Sequence, residues 1–508
     1  AVDAPYFCDY VQQLVLNNKA YGATVEERTK FLYQGGLTIK TTLDPKLQKV
    51  AQAQVNGTIS ATDPLQRGAA VVSVQPGTGK VLTMAQNTVY NPSDKLGNYM
   101  GNFALPIKDA NGNPLNGAGG FQIGSTFKPF VFAEWLNSGH SMMTNINGAV
   151  RDYPVGYPWK NSCGTTTGSY DPTQPNESLL PNDDPDHYYP MTAYLGLAIS
   201  INTVTFQTAT QLDFCNIQKM ATAAGVKDGH TNKPYDVSTI SSLIGTQNVA
   251  PIDMATAFAT FASGGMRCEP IALTAITDAA GKSYPVPGAD CQRTMTKEVA
   301  AGVTYALHYM LTNGSGYAIP LNNKDMSFAK TGTTDYNTQT WTVGANSGVA
   351  TAAWFGSYQG YGEKWHNQDV TINGTYYSSI DGNQLAGSNW AAVMNAAADT
   401  GKYDASALVQ PPAEMLSQTA PLVAGVNDPM ANSGVPTLPQ TGDGTSGGGT
   451  SGDGSTGNAP QATVAPIAPV APVAPATPAA PAPSKAPVQT QAPAPTKATG
   501  ANPPTPKK

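Results

Sequence analysis

Gly124-Ser125-Thr126-Phe127-Lys128-Pro129-Phe130 sets a serine and a lysine three residues apart. On a helix that spacing puts both side chains on one face, a turn apart. A serine hydroxyl is a weak nucleophile until a base takes its proton, and a lysine can be that base when burial or nearby positive charge keeps it neutral. Proline is tolerated only in a helix's first turn, so Pro129 predicts a helix that begins just before or at Ser125, with Ser125 at its positive end. The spacing alone does not select this pair, because Ser327-Phe328-Ala329-Lys330 shares it.

Two further elements follow in order. Ser200-Ile201-Asn202 comes after Thr192 to Ile199, whose Ala and Leu residues have helical spacing. Taken alone, it reads as a helix cap. Lys330-Thr331-Gly332-Thr333 comes later still. Its glycine permits close backbone approach in a strand, and its lysine and hydroxyls form an edge suited to an anion. Taken alone, this is an ordinary turn or strand end.

The surrounding chain reads as mixed α/β from about residue 30 to 410. Ala69 to Val74 and Lys80 to Met84 flank Gln75-Pro76-Gly77-Thr78-Gly79 and predict a hairpin; Trp341 to Gly344 and Val349 to Gly356 predict a second. Pro251 to Ala259 predicts a buried helix. Strands at both ends around a helical middle imply one sheet assembled from distant segments. From about Pro436 onward the chain has no aromatic residue and passes from Gly/Ser/Thr-rich sequence into Ala-Pro repeats. Such a composition predicts a disordered spacer with polyproline II character. Leu438-Pro439-Gln440-Thr441-Gly442 matches a sortase pentapeptide, but the stretch that follows it is rich in Gly, Ser and Pro and contains no apolar span.

A net charge of −6 argues against a nucleic-acid binder. Cys8, Cys163, Cys215, Cys268 and Cys291 form no Cys-x-x-Cys pair and the five histidines no metal spacing, so neither metal nor cofactor is expected. No apolar run reaches membrane-spanning length, and the start at Ala1-Val2-Asp3-Ala4-Pro5 reads as that of an excised piece.

Ser-x-x-Lys, Ser-x-Asn and Lys-Thr-Gly in this order resemble the signature of penicillin-binding proteins and serine β-lactamases. From Gly35-Gly36-Leu37-Thr38 through Trp354-Phe355-Gly356, the chain resembles the transpeptidase half of class A, bifunctional penicillin-binding proteins of actinobacterial type. The resemblance implies an α/β (α+β) penicillin-binding-protein/serine β-lactamase-like fold: an antiparallel sheet flanked by helices, an all-helical subdomain and a disordered Pro-rich tail. It divides the chain into residues 1–65, joining a missing glycosyltransferase domain; 66–410, the transpeptidase domain; 411–435, an extension; and 436–508, the tail. It implies a full-length protein anchored in the membrane by one span, acting in the cell envelope and open to partners in the wall-synthesis machinery.

The resemblance also assigns roles. Ser125 is the nucleophile, Lys128 its base and Ser200 a proton relay. Asn202 holds the donor peptide's amide. Lys330, Thr331 and Thr333 bind its carboxylate beside Gly332, and the backbone N–H groups of Ser125 and Thr333 form the oxyanion hole. The substrates implied are peptidoglycan stem peptides, with β-lactams as covalent inhibitors. Between Asn202 and Lys330 only Glu269 and Glu298 could activate a deacylating water, and neither has the context expected for a β-lactamase. A D,D-carboxypeptidase, a β-lactamase of the same fold and a non-catalytic wall-binding or β-lactam-sensing module remain alternatives. An exported domain permits disulfides, for which Cys268 with Cys291 and Cys163 with Cys215 are the expected pairs, leaving Cys8 over. Tyr170, Trp341 and Tyr336 are candidate groove aromatics, although such residues are more often packing.

Overall fold

The computed structural model describes residues 3–149, 153, 156–168, 182, 189–403 and 405–417. Tyr170, the pentapeptide at 438–442 and the expected tail at 436–508 lie outside them.

Five strands, β1 (Arg67–Val74), β2 (Val81–Gln86), β3 (Phe328–Thr333), β4 (Gln339–Ala345) and β5 (Ala350–Ser357), form one antiparallel sheet in the order β3-β4-β5-β1-β2. A hairpin, β6 (Gln368–Ile372) and β7 (Thr375–Ser379), follows. The helices used below are α1 (Pro5–Asn17), α2 (Pro45–Thr58), α3 (Lys128–Asn137), α4 (Ala193–Ala198), α5 (Asn202–Ala209), α6 (Phe214–Ala224), α7 (Pro251–Ala262), α8 (Lys297–Asn313) and α9 (Leu385–Asp399).

Side chains alternate across a strand, and here the alternation separates two cores. Ala70, Val72, Met84, Val343 and Trp354 face a core shared with α7, through Met254 and Phe258. Ala69, Val71, Ala85 and Phe355 face a second core shared with α2 and α9, through Leu47, Ala51, Val55, Trp390 and Met394. With both faces covered, β1 and β5 are apolar almost throughout. The helical middle of the chain, α3 to α8, packs beside β3, which is therefore an edge strand with its outer margin turned toward that subdomain.

Residues 3–65, read from sequence as a joining segment, are packed into the same compact unit as the sheet. Phe7, Tyr10 and Val15 of α1 enter the first core. Gln48 of α2 accepts from Met84 N–H at 2.8 Å and donates to its carbonyl at 3.0 Å, so a side-chain amide pairs the backbone of edge strand β2.

Asp44 caps α2 by accepting from the N–H groups of Lys46 and Leu47, and its other oxygen accepts from Lys402 Nζ at 2.9 Å and the Tyr403 hydroxyl at 2.8 Å. Burial opposes ionisation of this carboxyl, but the bonds from Lys402, Tyr403 and the two amides outweigh it and hold its pKa below the usual range. A depressed carboxylate stabilises above its unfolded value, near 4, and that contribution is lost as pH falls through the folded value. Asp44→Ala is therefore expected to cost about 1–2 kcal/mol at neutral pH, with the deficit closing in acid. Denaturant melts at pH 7 and pH 3 check this, and an equal deficit at both would remove the electrostatic part.

Cys163 is joined to Cys215, which ties residue 163 to the start of α6, and Cys268 to Cys291, which brackets the paired segments Met266–Arg267 and Gln292–Arg293; Cys8 is free and exposed. Thiol titration in denaturant should count one group before reduction and five after it. Each bridge is worth about 2–4 kcal/mol, so reduction should lower the melting temperature. Three thiols before reduction would eliminate one bridge.

Candidate active site

Gly124–Phe127 forms a 3-10 turn that carries Ser125, and α3 proper begins at Lys128 with Pro129 in its first turn. The helix expected at Ser125 thus starts as a tighter turn. Phe127 anchors it, stacked on Tyr235 with ring centroids 4.1 Å apart. Gly124 has φ +53° and so sits in the left-handed region that favours glycine. A Cβ there would lie 2.9 Å from the Thr333 nitrogen and 2.7 Å from its oxygen. The serine turn and the end of β3 are therefore in backbone contact.

β3 holds Lys330-Thr331-Gly332-Thr333 in register with β4, Gly332 opposite Trp341. A Cβ on Gly332 would come 2.4 Å from the Ile123 carbonyl oxygen and 2.9 Å from Thr126 Cγ2, so the strand lies this close to the serine turn only with glycine there. The second Ser-x-x-Lys match is resolved by the same strand. Three residues apart on an extended chain point to opposite faces, so Ser327 and Lys330 do not form a helical pair.

Ser200 lies between α4 and α5 at φ +66°, an uncommon region for serine and a form of strain often found at functional sites. The Leu197 carbonyl accepts the Ser200 N–H at 3.1 Å, and the Gly196 carbonyl accepts that of Ile201 at 2.7 Å, closing the turn. Asn202 opens α5. Lys128 is 1% exposed; its Nζ donates to the Ser200 carbonyl at 2.6 Å and to Ser200 Oγ at 3.4 Å. Lys330 is 0% exposed and its Nζ donates to the same Oγ at 2.7 Å and to the Thr331 carbonyl at 3.1 Å. Two buried lysines thus converge on one hydroxyl. Like charges at such range disfavour both being protonated.

Ser125, Ser200, Asn202, Thr331 and Thr333 line one cavity of about 800 Å³. Lys128, Lys330 and Gly332 form the layer behind it. Ser315, Gln368, Ser379, Asp381, Gly382 and Asn383 also line this cavity and were not singled out in the sequence. They sit in a helix-end loop, in the β6–β7 hairpin and in the turn before α9, where no spacing rule points at them. Among the groove aromatics, Trp341 is fully buried and donates its indole N–H to the Gln122 carbonyl at 2.8 Å, so it is core. Tyr336 is 47% exposed beside the cavity residues Asp335 and Asn337. Glu269 pairs with Arg267 at 2.6 Å, and Glu298 is exposed in the first turn of α8.

Residues 69–394 match the family described as the penicillin binding protein transpeptidase domain. Penicillin-binding protein 2D of Bacillus subtilis is 27% identical over 368 residues, which are 70% of this chain and 45% of that protein. Penicillin-binding protein 1A of Mycobacterium tuberculosis is 27% identical over 384 residues, 73% of this chain and 41% of that protein. The chain thus spans less than half the length of these relatives. The structure of the PonA1 protein from M. tuberculosis in complex with penicillin V is similar in fold, with a TM-score of 0.60 at 22% identity, covering 81% of this chain and 97% of that one.

Proposed function

The chain belongs to the penicillin-binding protein transpeptidase domain family, and from that premise we propose that it is a serine D,D-transpeptidase of peptidoglycan stem peptides. The observation that carries the assignment of roles is the convergence of Lys128 and Lys330 on Ser200 Oγ, at the wall of the cavity that Ser125 lines.

Ser125 Oγ attacks the carbonyl carbon of the penultimate D-Ala and gives its proton to neutral Lys128, while the protonated neighbour Lys330 keeps Lys128 neutral. The backbone N–H groups of Ser125 and Thr333 receive the oxyanion, and loss of one such donor typically costs about 10² to 10³-fold in rate. The bond to the terminal D-Ala nitrogen then breaks, Ser200 passes the proton to that nitrogen, and an acyl-serine remains. Asn202 holds the donor amide, and Lys330, Thr331 and Thr333 hold the terminal carboxylate. An amine of a second stem peptide takes the acyl group and forms the cross-link. A β-lactam follows the first half of this course, and of the two glutamates between Asn202 and Lys330, Glu269 is engaged by Arg267 and Glu298 lies on an exposed helix end, so neither is placed to hasten its release.

Residues 66–410 are the transpeptidase domain in this reading and 411–435 an extension, whose first turn, Ala413–Leu416, packs on Ser141 and Met142. The place of action in this reading is the cell envelope. Among the described residues no helix is long and apolar enough to cross a membrane. A single-pass anchor and a glycosyltransferase domain belong to the full-length protein we envisage.

The test is incubation with a penicillin followed by peptide mass spectrometry, and incubation with a D-Ala-D-Ala peptide plus an acceptor amine. A lasting adduct on the Ser125 peptide, together with cross-linked product, is the expected result. Hydrolysed peptide alone would make the protein a carboxypeptidase. Rapid drug hydrolysis would make it a β-lactamase, and no adduct a binding module.

A further inference from the structure

The turn between β7 and α9 touches the carboxylate-binding edge on β3 and the neighbouring strand β4. Gly382 N–H donates to Thr333 Oγ1 at 3.2 Å, and the Gly382 carbonyl accepts from Thr342 Oγ1 at 2.8 Å. A Cβ on Gly382 would stand 2.3 Å from the Trp341 carbonyl oxygen and 2.6 Å from that of Gly332, so this turn is pressed directly onto β3 and β4. One residue on, Asn383 Nδ2 donates to the Ser315 carbonyl at 2.9 Å, and Ser315 Oγ lies 3.1 Å from Thr331 Oγ1. Asp381 fixes the turn from the other side, accepting from Asn337 Nδ2 at 2.7 Å and donating its N–H to Gln384 Oε1 at 2.7 Å.

A hydroxyl has one proton and two lone pairs. With a backbone N–H already donating to one lone pair of Thr333 Oγ1, the hydroxyl proton is left to point into the cavity and donate to a bound group. Ser315 can do the same for Thr331 by donating its own proton to Thr331 Oγ1. The resulting edge offers donors, which suits a carboxylate and penalises a neutral group that cannot accept as strongly.

We propose that the Gly382–Asn383 turn sets the hydrogen-bond polarity of Thr331 and Thr333, and that Asn383 and Ser315 are positioning residues for recognition of a free terminal carboxylate on donor peptide or β-lactam. This rests on the function proposed above. The turn acts directly through the Gly382 amide; Asn383 acts at one remove, by holding the Ser315 backbone so that the Ser315 hydroxyl faces Thr331.

The test compares a penicillin with its methyl ester by second-order acylation constant, in the unmodified chain and in Asn383→Ala, Asn383→Asp and Ser315→Ala, each first confirmed folded by its thermal melt. The acid-to-ester preference should fall about tenfold in all three. Asp should fail to rescue Asn383, because it keeps the size but loses the donor. Rescue by Asp, or a preference that stays constant while both rates fall together, would reduce the turn to packing and overturn the proposal. Adduct on Ser125 with unchanged preference would overturn this inference alone, whereas no adduct in the unmodified chain would overturn the transpeptidase reading and this inference with it.

Discussion

Ser125→Ala is expected to leave a folded protein that forms no covalent adduct with penicillin. The side chain is half-buried on a 3-10 turn whose stability comes from Phe127, Gly124 and the Thr126 bond to the Ile123 carbonyl, none of which uses the serine hydroxyl. Stability should therefore change by less than about 0.5 kcal/mol, while acylation has no atom to act on. Lys128→Ala should leave the nucleophile in place and slow acylation by about 10² to 10⁴-fold, the usual worth of a positioned base. Intact mass against time, with thermal melts alongside, measures both. An adduct that persists in Ser125→Ala would place the nucleophile elsewhere.

Gly332→Ala should be nearly as damaging without touching any reacting group. The added methyl would meet the Ile123 carbonyl at 2.4 Å, a backbone atom that cannot swing aside. Either β3 moves outward or the serine turn moves away, and both separate Ser125 from Lys330 and Thr333. Misplacement by about 1 Å costs on the order of 10²-fold in rate, and overpacking costs about 1–3 kcal/mol. Acylation kinetics and a denaturant melt should show both losses. A variant that acylates like the parent would mean that the close approach of strand and turn is not needed.

The three motifs and both hairpins were legible because each is local: a spacing, a turn, an apolar run. What joins them was not. Alternation in Ala69 to Val74 says which residues share a face but not that the neighbouring strand is Ala350–Ser357. The stripe Leu47, Ala51, Val55 is brief and set among Lys and Gln, so it suggests a helix only once the surface it covers is known. The wall formed by Ser315 and Asp381 to Asn383 is the clearest case. These are loop residues of common type, and only the fold brings Ser315 and Gly382 within hydrogen-bonding range of Thr331 and Thr333. Two Ser-x-x-Lys matches looked alike on paper, and it was secondary structure that separated them.

The sheet order has a consequence for how the chain reaches its native state. β1 and β2 can pair as soon as both exist, yet the other side of β1 must wait for β5, since Val74 pairs with Ala350, 276 residues away (350 minus 74). Pairings this distant in sequence form slowly and leave apolar strands uncovered meanwhile. A fragment ending before residue 350 would hold the nucleophile and both lysines but no complete sheet to bring them together. Refolding yield should therefore depend steeply on protein concentration.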